Sequence, residues 1–230
     1  MKHTLKYIIN SLMVLCVCLG YAQEEKKDSL AYPQRYGLRV GLDLNKVARG
    51  FYEDRYTGME ISADYRVAPS YYLAGEFGHE NKYTTDEQLN SNAQGSYFKV
   101  GFDYNAYENW LDMENMIYIG MRYGAATFSQ TLEKYRIYDR NIYFPEQWVT
   151  TNQKQSGLSA QWLEVVVGVK AKLFNNFFLG FSARVNRLVT QQKPENFDNL
   201  YIPGFNRTYD GDFGVGFNYT LSYFIPIYKK

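Results

Sequence analysis

The sequence predicts an all-β fold, an eight-stranded antiparallel up-and-down transmembrane barrel with short turns at one end and long loops at the other. Three observations carry this. Eight segments alternate apolar and polar residues with a period of two, near 35–45, 57–68, 71–80, 96–106, 116–127, 162–173, 177–187 and 213–225; each approaches the ~9–11 residues that a tilted membrane strand needs. Short turns alternate with long polar links, the asymmetry of a barrel closed tightly on one side. Glycines gather on one face of the strands, where a narrow closed tube has least room.

The first strand sets Tyr36, Leu38, Val40, Leu42 and Leu44 against Gly37, Arg39, Gly41, Asp43 and Asn45. The second opposes Met59, Ile61, Ala63, Tyr65 and Val67 to Gly58, Glu60, Ser62, Asp64 and Arg66. The fourth, fifth and sixth keep the phase, with Phe98 and Val100 against Lys99 and Gly101, Ile117 and Ile119 against Gly120 and Arg122, and Val165 and Val167 against Glu164 and Gly168. The third, seventh and eighth are noisier but agree. The apolar face is assigned to lipid and the glycine-rich, charged face to the lumen. Turns are expected at Ala68-Pro69-Ser70, around Glu108 to Asn115 and at Asn175-Asn176, and polar links at 46–56, 81–95, 128–161 and 188–212. Tyr36, Tyr65, Tyr71, Tyr104 and Tyr223 then fall near the turn-side rim, where an interfacial aromatic girdle belongs.

Residues 1–22 have the pattern of a cleaved signal peptide, with Lys2, His3 and Lys6, an apolar run from Leu12 to Leu19, and small residues at Gly20 and Ala22. Residues 23–34 are expected to be a flexible periplasmic arm and 35–230 the barrel. Both cysteines, Cys16 and Cys18, lie in the first segment, so the rest of the chain has neither a disulfide nor a thiol ligand. Of 25 basic and 24 acidic residues, the segment removes Lys2 and Lys6 and no acid, leaving 23 against 24. That balance argues against a nucleic-acid partner, which would need a basic face. The 23 tyrosines suit a membrane interface, where the ring is apolar and the hydroxyl stays wet. No apolar window of ~20 residues follows residue 22, so strands rather than helices are expected to cross.

With these features the chain resembles the small outer-membrane barrels of the OmpA transmembrane-domain and OmpX type, and the barrel families of Gram-negative genomes. The last strand, Gly216-Phe217-Asn218-Tyr219-Thr220-Leu221 with Tyr223, looks like the aromatic signal read by the barrel-insertion machinery. It departs from that pattern at the end, because Tyr228 is followed by Lys229 and Lys230. The resemblance implies an outer-membrane location, with lipids and the insertion machinery as partners.

The candidate functional residues are lumenal. Arg39, Asp43, Glu60, Asp64, Arg66, Glu76, Lys99, Asp103, Arg122, Glu164, Lys170, Lys172 and Arg184 are expected to form a salt-bridged plug, since unpaired charge in a poorly hydrated tube is costly. His79 lies on the outward phase, at the level where lipid A deacylases of similar fold place a catalytic histidine. Those resemble a His-x-Ser arrangement, whereas this chain has His79-Glu80-Asn81. Asp210-Gly211-Asp212 is too short to supply the ~6–8 oxygens that calcium takes, and no metal or cofactor is expected. In the 128–161 link, Tyr135, Tyr138, Tyr143, Phe144 and Trp148 either extend strands 5 and 6 as a hairpin or form a surface for an envelope or extracellular protein. The expected function is a non-enzymatic envelope barrel. The alternatives are a lipid-modifying enzyme using His79, and a small pore.

Overall fold

The structure is a computed structural model that describes residues 34–109, 113–137, 147–194, 197–206 and 212–230. The expected signal segment, all of the expected arm but Gln34, and the loop residues Tyr138, Tyr143, Phe144 and Asp210 lie outside the described residues. Eight antiparallel strands close into a barrel in sequence order: β1 Arg35–Asp43, β2 Tyr56–Ala68, β3 Tyr71–Thr85, β4 Leu89–Asn105, β5 Met116–Arg136, β6 Trp148–Phe174, β7 Phe177–Gln191 and β8 Phe213–Lys229. The seam between β1 and β8 runs from Arg35 opposite Lys229 to Asp43 opposite Thr220. Closure leaves no sheet edge over the paired span.

The outward face carries a belt of exposed apolar side chains, such as Phe77, Val100, Ile119, Val167 and Leu179. Burial is inverted relative to a water-soluble protein: Arg39, Glu60, Lys99, Asp103 and Glu164 are inside while the aliphatics face out. Period-two alternation requires this, because each strand must give one face to the lumen and one to the surroundings.

The structure corrects two sequence expectations, the end of β1 and the 81–95 link, and sharpens two more, at Tyr36 and in the 128–161 link. β1 stops at Asp43, and Leu44 and Asn45 begin a helix, α1 Leu44–Tyr52. Asp43 caps it, its carboxylate accepting from the Asn45 amide at 3.0 Å, which satisfies a backbone donor the first turn leaves open. Tyr36 is at the turn-side rim as expected but is buried there, its ring stacked on Tyr228 at 5.0 Å with the Arg66 guanidinium over it, beside a β-bulge that puts one extra residue, Ile227, into β8. The 81–95 link is mostly strand, since β3 and β4 pair out to Thr85 opposite Asn90. In the 128–161 link, β5 and β6 pair out to Arg136 opposite Trp148, so its described ends form the extended hairpin.

Inward glycines seat aromatic rings. A Cβ on Gly78 would lie 2.4 Å from the Tyr97 ring, one on Gly124 2.3 Å from Trp162, and one on Gly168 2.6 Å from Tyr118. In each pair the ring stands directly opposite its glycine on the neighbouring strand. The glycines therefore make room chiefly for aromatics rather than for long charged chains, and the rings fill the tube.

Candidate functional site

The lumen is built in layers. Next to the turn-side rim, Lys170 Nζ lies 2.6 Å from Asp64 Oδ2, Arg39 stands 3.7 Å from the other oxygen of that carboxylate, and the Arg39 guanidinium sits 4.4 Å from the Phe178 ring centre. Beside it, Arg122 donates to Asp103 at 2.7 Å. In the middle layer, Arg184 bridges Glu76 at 2.8 Å and Glu164 at 3.1 Å, and Lys99 lies 3.1 Å from Glu164 and 3.4 Å from Glu76. Trp162 donates its indole N–H to Glu164 at 2.7 Å. Each charge in these two layers thus meets an opposite one, as a low-dielectric interior demands.

Toward the loop side the network passes to elements that strand periodicity does not reach. Tyr97 donates to Glu60 at 2.5 Å, and Asn218 donates to both Glu60 and Asp43 at 2.7 Å. Lys46 of α1 reaches inward to Glu80, and its ammonium lies 3.7 Å from Glu60. Glu80 also accepts from Tyr56 at 3.1 Å, Tyr201 at 2.7 Å and the Gly204 amide at 3.0 Å. One carboxylate therefore ties β2, α1 and the β7–β8 connection together.

That connection enters the barrel mouth. Ile202 and Phe205 are fully buried and join Tyr97, Phe128, Leu158, Trp162 and Leu188 in an apolar cluster. Phe205 meets Trp162 edge to face at 5.7 Å. The Phe205 and Asn206 amides donate to the Ile202 carbonyl at 3.1 and 2.9 Å, closing a tight turn in which Gly204 has φ +79°. The position favours glycine both for that φ and because a Cβ would meet the Tyr97 ring at 2.5 Å. Gln130 pins the segment, donating to the Asp198 carbonyl and accepting from the Leu200 amide, each at 3.1 Å.

The structure brings together most of the lumenal residues predicted from sequence. Arg66 and Lys172 stand apart at the turn-side rim. Arg66 donates to Gln34 and to the Pro69 carbonyl, and Lys172 lies 2.9 Å from Glu114. Glu114 also accepts from Arg35 Nε at 2.5 Å. Burial alone would raise the Glu114 pKa, but hydrogen bonds from Arg35 and Lys172 outweigh it and hold the carboxyl below its ordinary value. At the opposite end, just past α1, burial likewise opposes and hydrogen bonds from Lys82 and Arg49 prevail, lowering Glu53. Glu80 and Lys46 are charged lumenal residues that the sequence expectations did not name. Glu80 continues the inward phase of Glu76 and Gly78 and was recoverable from it, whereas Lys46 is turned inward by a helix.

His79 is exposed on the outer wall, as its phase predicts, and a serine does approach it. Ser96 stands opposite on β4, and its Oγ shares a 2.9 Å hydrogen bond with His79 Nδ1. Among the described residues no carboxylate hydrogen-bonds this imidazole, and no group of three His, Cys, Asp or Glu side chains is arranged to hold a metal ion. Of the loop aromatics within the described residues, Tyr135 and Trp148 are exposed near the far end of the β5–β6 hairpin, with Lys134 Nζ 4.8 Å from the Trp148 ring centre.

Two solved structures of one protein are similar to the chain. The crystal structure of Ail, the attachment invasion locus protein of Yersinia pestis, is similar with a TM-score of 0.42 at 10% identity, over 84% of this chain and 99% of that one. The same protein in complex with the heparin analogue sucrose octasulfate gives a TM-score of 0.38 at 11% identity, with the same coverage. No curated protein matches the chain. A family model matches residues 4–230, nearly the whole sequence, and the chain belongs to that family, the domain of unknown function DUF6048.

Proposed function

We propose that the protein is a non-enzymatic outer-membrane barrel, closed to ion flow, that serves envelope structure or presents its β5–β6 crest to a protein partner. The observation that carries the reading is the continuous filling of the lumen, from the Asp64 and Asp103 ion pairs through Lys99, Glu164 and Arg184 to Ile202 and Phe205. An eight-stranded tube has room for little beyond side chains, and here they are paired and packed. The inverted burial supports placement in a bilayer, with residues 1–22 as the export signal and β8 as the strand presented to the insertion machinery. Outer-membrane lipids are then the first partner, and exposed Tyr135 and Trp148 the first candidates for contact with a second protein. Purified protein in planar bilayers is expected to give no sustained conductance, and large stable channels would overturn the closed reading.

A second reading rests on the His79–Ser96 hydrogen bond. A hydroxyl within reach of an imidazole base is the core of a serine nucleophile, and this one faces outward where the wall turns from Phe77 and Phe98 to polar residues. It would make the protein a lipid-modifying hydrolase. Mass spectra of lipid A from cells carrying wild type, His79→Ala or Ser96→Ala separate the two readings. Identical spectra remove the enzyme, and acyl loss only in the wild type establishes it.

A further inference from the structure

The barrel wall has a gap that α1 fills. Above Ile61, β2 residues Tyr56 to Glu60 pair only with β3, because β1 has ended. On the other side of the gap, β8 residues Phe213 to Tyr219 pair only with β7. The helix starts where β1 stops and packs against β2 and β8. It also satisfies part of the open edge. Asn45 Nδ2 donates to the Phe217 carbonyl at 3.2 Å, and the Tyr219 amide donates to Asp43, the helix cap, at 3.3 Å.

The helix is inside out by the standard of a water-soluble protein. Lys46 is buried, and Arg49 is half-buried with its guanidinium 2.8 Å from Glu53 and stacked on the Tyr56 ring at 4.1 Å. Leu44, Val47, Ala48 and Phe51 share the opposite face, three and four residues apart, and all are exposed, Phe51 at 88%. Beside them on the unpaired stretch of β8, Phe213, Val215 and Phe217 also point outward and are exposed. The helix therefore has the same inversion as the strands, and its apolar stripe runs beside the apolar belt on the β8 side, with Asn45 at the seam.

We infer that α1 is a membrane-interface helix, seating Leu44, Val47 and Phe51 in the headgroup–acyl boundary of the outer leaflet and anchoring the loop-side mouth to the bilayer. This rests on the outer-membrane placement proposed above. Two physical constraints fix the depth. The open edges of β2 and β8 are only partly satisfied, so they cannot lie in hydrocarbon, where an unmet backbone group costs several kcal/mol. The apolar stripe, in turn, is poorly placed in water. The boundary satisfies both, and a charged inner face with an apolar outer face is the pattern of a helix lying in that plane. On the β3–β4 side the outward residues at the same level are His79 and Ser96, so the anchor is one-sided.

The test uses the full chain with Cys16→Ser and Cys18→Ser, reconstituted in phospholipid vesicles and spin-labelled at single introduced cysteines. Val47→Cys reports the stripe and Ala48→Cys repeats the measurement at a site that tolerates the change. Val167→Cys reports the belt, and Glu87→Cys the exposed β3–β4 turn. Collision with oxygen, which prefers lipid, is compared with collision with a water-soluble nickel chelate. The expected oxygen-to-nickel ratio at 47 and 48 is several-fold above that at 87 and approaches that at 167. A water-like ratio at 47 and 48 beside a lipid-like ratio at 167 would overturn the anchor and leave the membrane barrel standing. Water-like ratios at 167 as well would overturn both.

Discussion

The ammonium of Lys46 bonds the carboxylate of Glu80 inside the mouth of the barrel, joining a helix to a strand thirty-four positions away. Both groups are buried, and Glu80 collects three further donors. Removing one partner strands the other charge, which costs about 3–5 kcal/mol in buried pairs. Lys46→Met and Glu80→Gln are each expected to lower stability to urea by that order. The double variant should lose less than the sum of the two, because neither charge is then left alone.

Tyr97 over Gly78 gives a steric prediction. Gly78→Ala pushes a methyl into the ring and against the Met59 carbonyl at 2.9 Å, and overpacking of this kind costs about 1–3 kcal/mol. Gly75 sits on the outer face with nothing nearer than 3.8 Å, so Gly75→Ala is expected to be near neutral. Unfolding midpoints of the two variants in one detergent check the contrast.

Phe205 closes the mouth against Trp162. Phe205→Ala deletes a fully buried ring, with an expected loss of about 3–5 kcal/mol. It also opens space beside the Tyr97 and Leu188 side chains. Indole fluorescence should shift to the red as water reaches Trp162, and Val185→Ala on the outer face should leave the emission unchanged.

Glu114 predicts an acid-side dependence. Its folded pKa lies below the ordinary carboxylate value, so its bonds to Arg35 and Lys172 contribute fully above about pH 4.3 and are lost as pH falls through the lowered folded value. Unfolding measured from about pH 7 to about pH 3 should show wild type losing this contribution at the acid end. In Glu114→Gln, stability should be lower at neutral pH and flatter toward acid.

Strand identity was legible because the belt makes a sharp contrast between faces, as Val165 and Val167 do against Glu164 and Gly168. Strand ends were not legible where that contrast fades. Above His79, Ser96 and Thr127 the outer face turns polar, and the paired residues beyond, Asn81 with Gln94 and Thr131 with Lys154, look in sequence like loop. The glycines pointed to the lumen, yet the rings they seat could be named only with the register, since Trp162 lies far from Gly124 in sequence. Lys46 was hidden for a different reason: a period of two cannot show which side of a helix faces in. The buried Tyr201, Ile202 and Phe205 sit in a connection whose polar neighbours masked them.

The uneven wall has a mechanical side. β1 has 9 residues while β6 has 27, so the β5–β6 hairpin stands as a crest over a low opposite rim. Ladder hydrogen bonds lie across the strands, so tension applied near Trp148 and directed along β6 loads the β5 and β7 ladders in shear, with many bonds resisting together. A peeling force on the same crest, directed sideways, would part them a few at a time. A tether held there is strong along the barrel and weak across it.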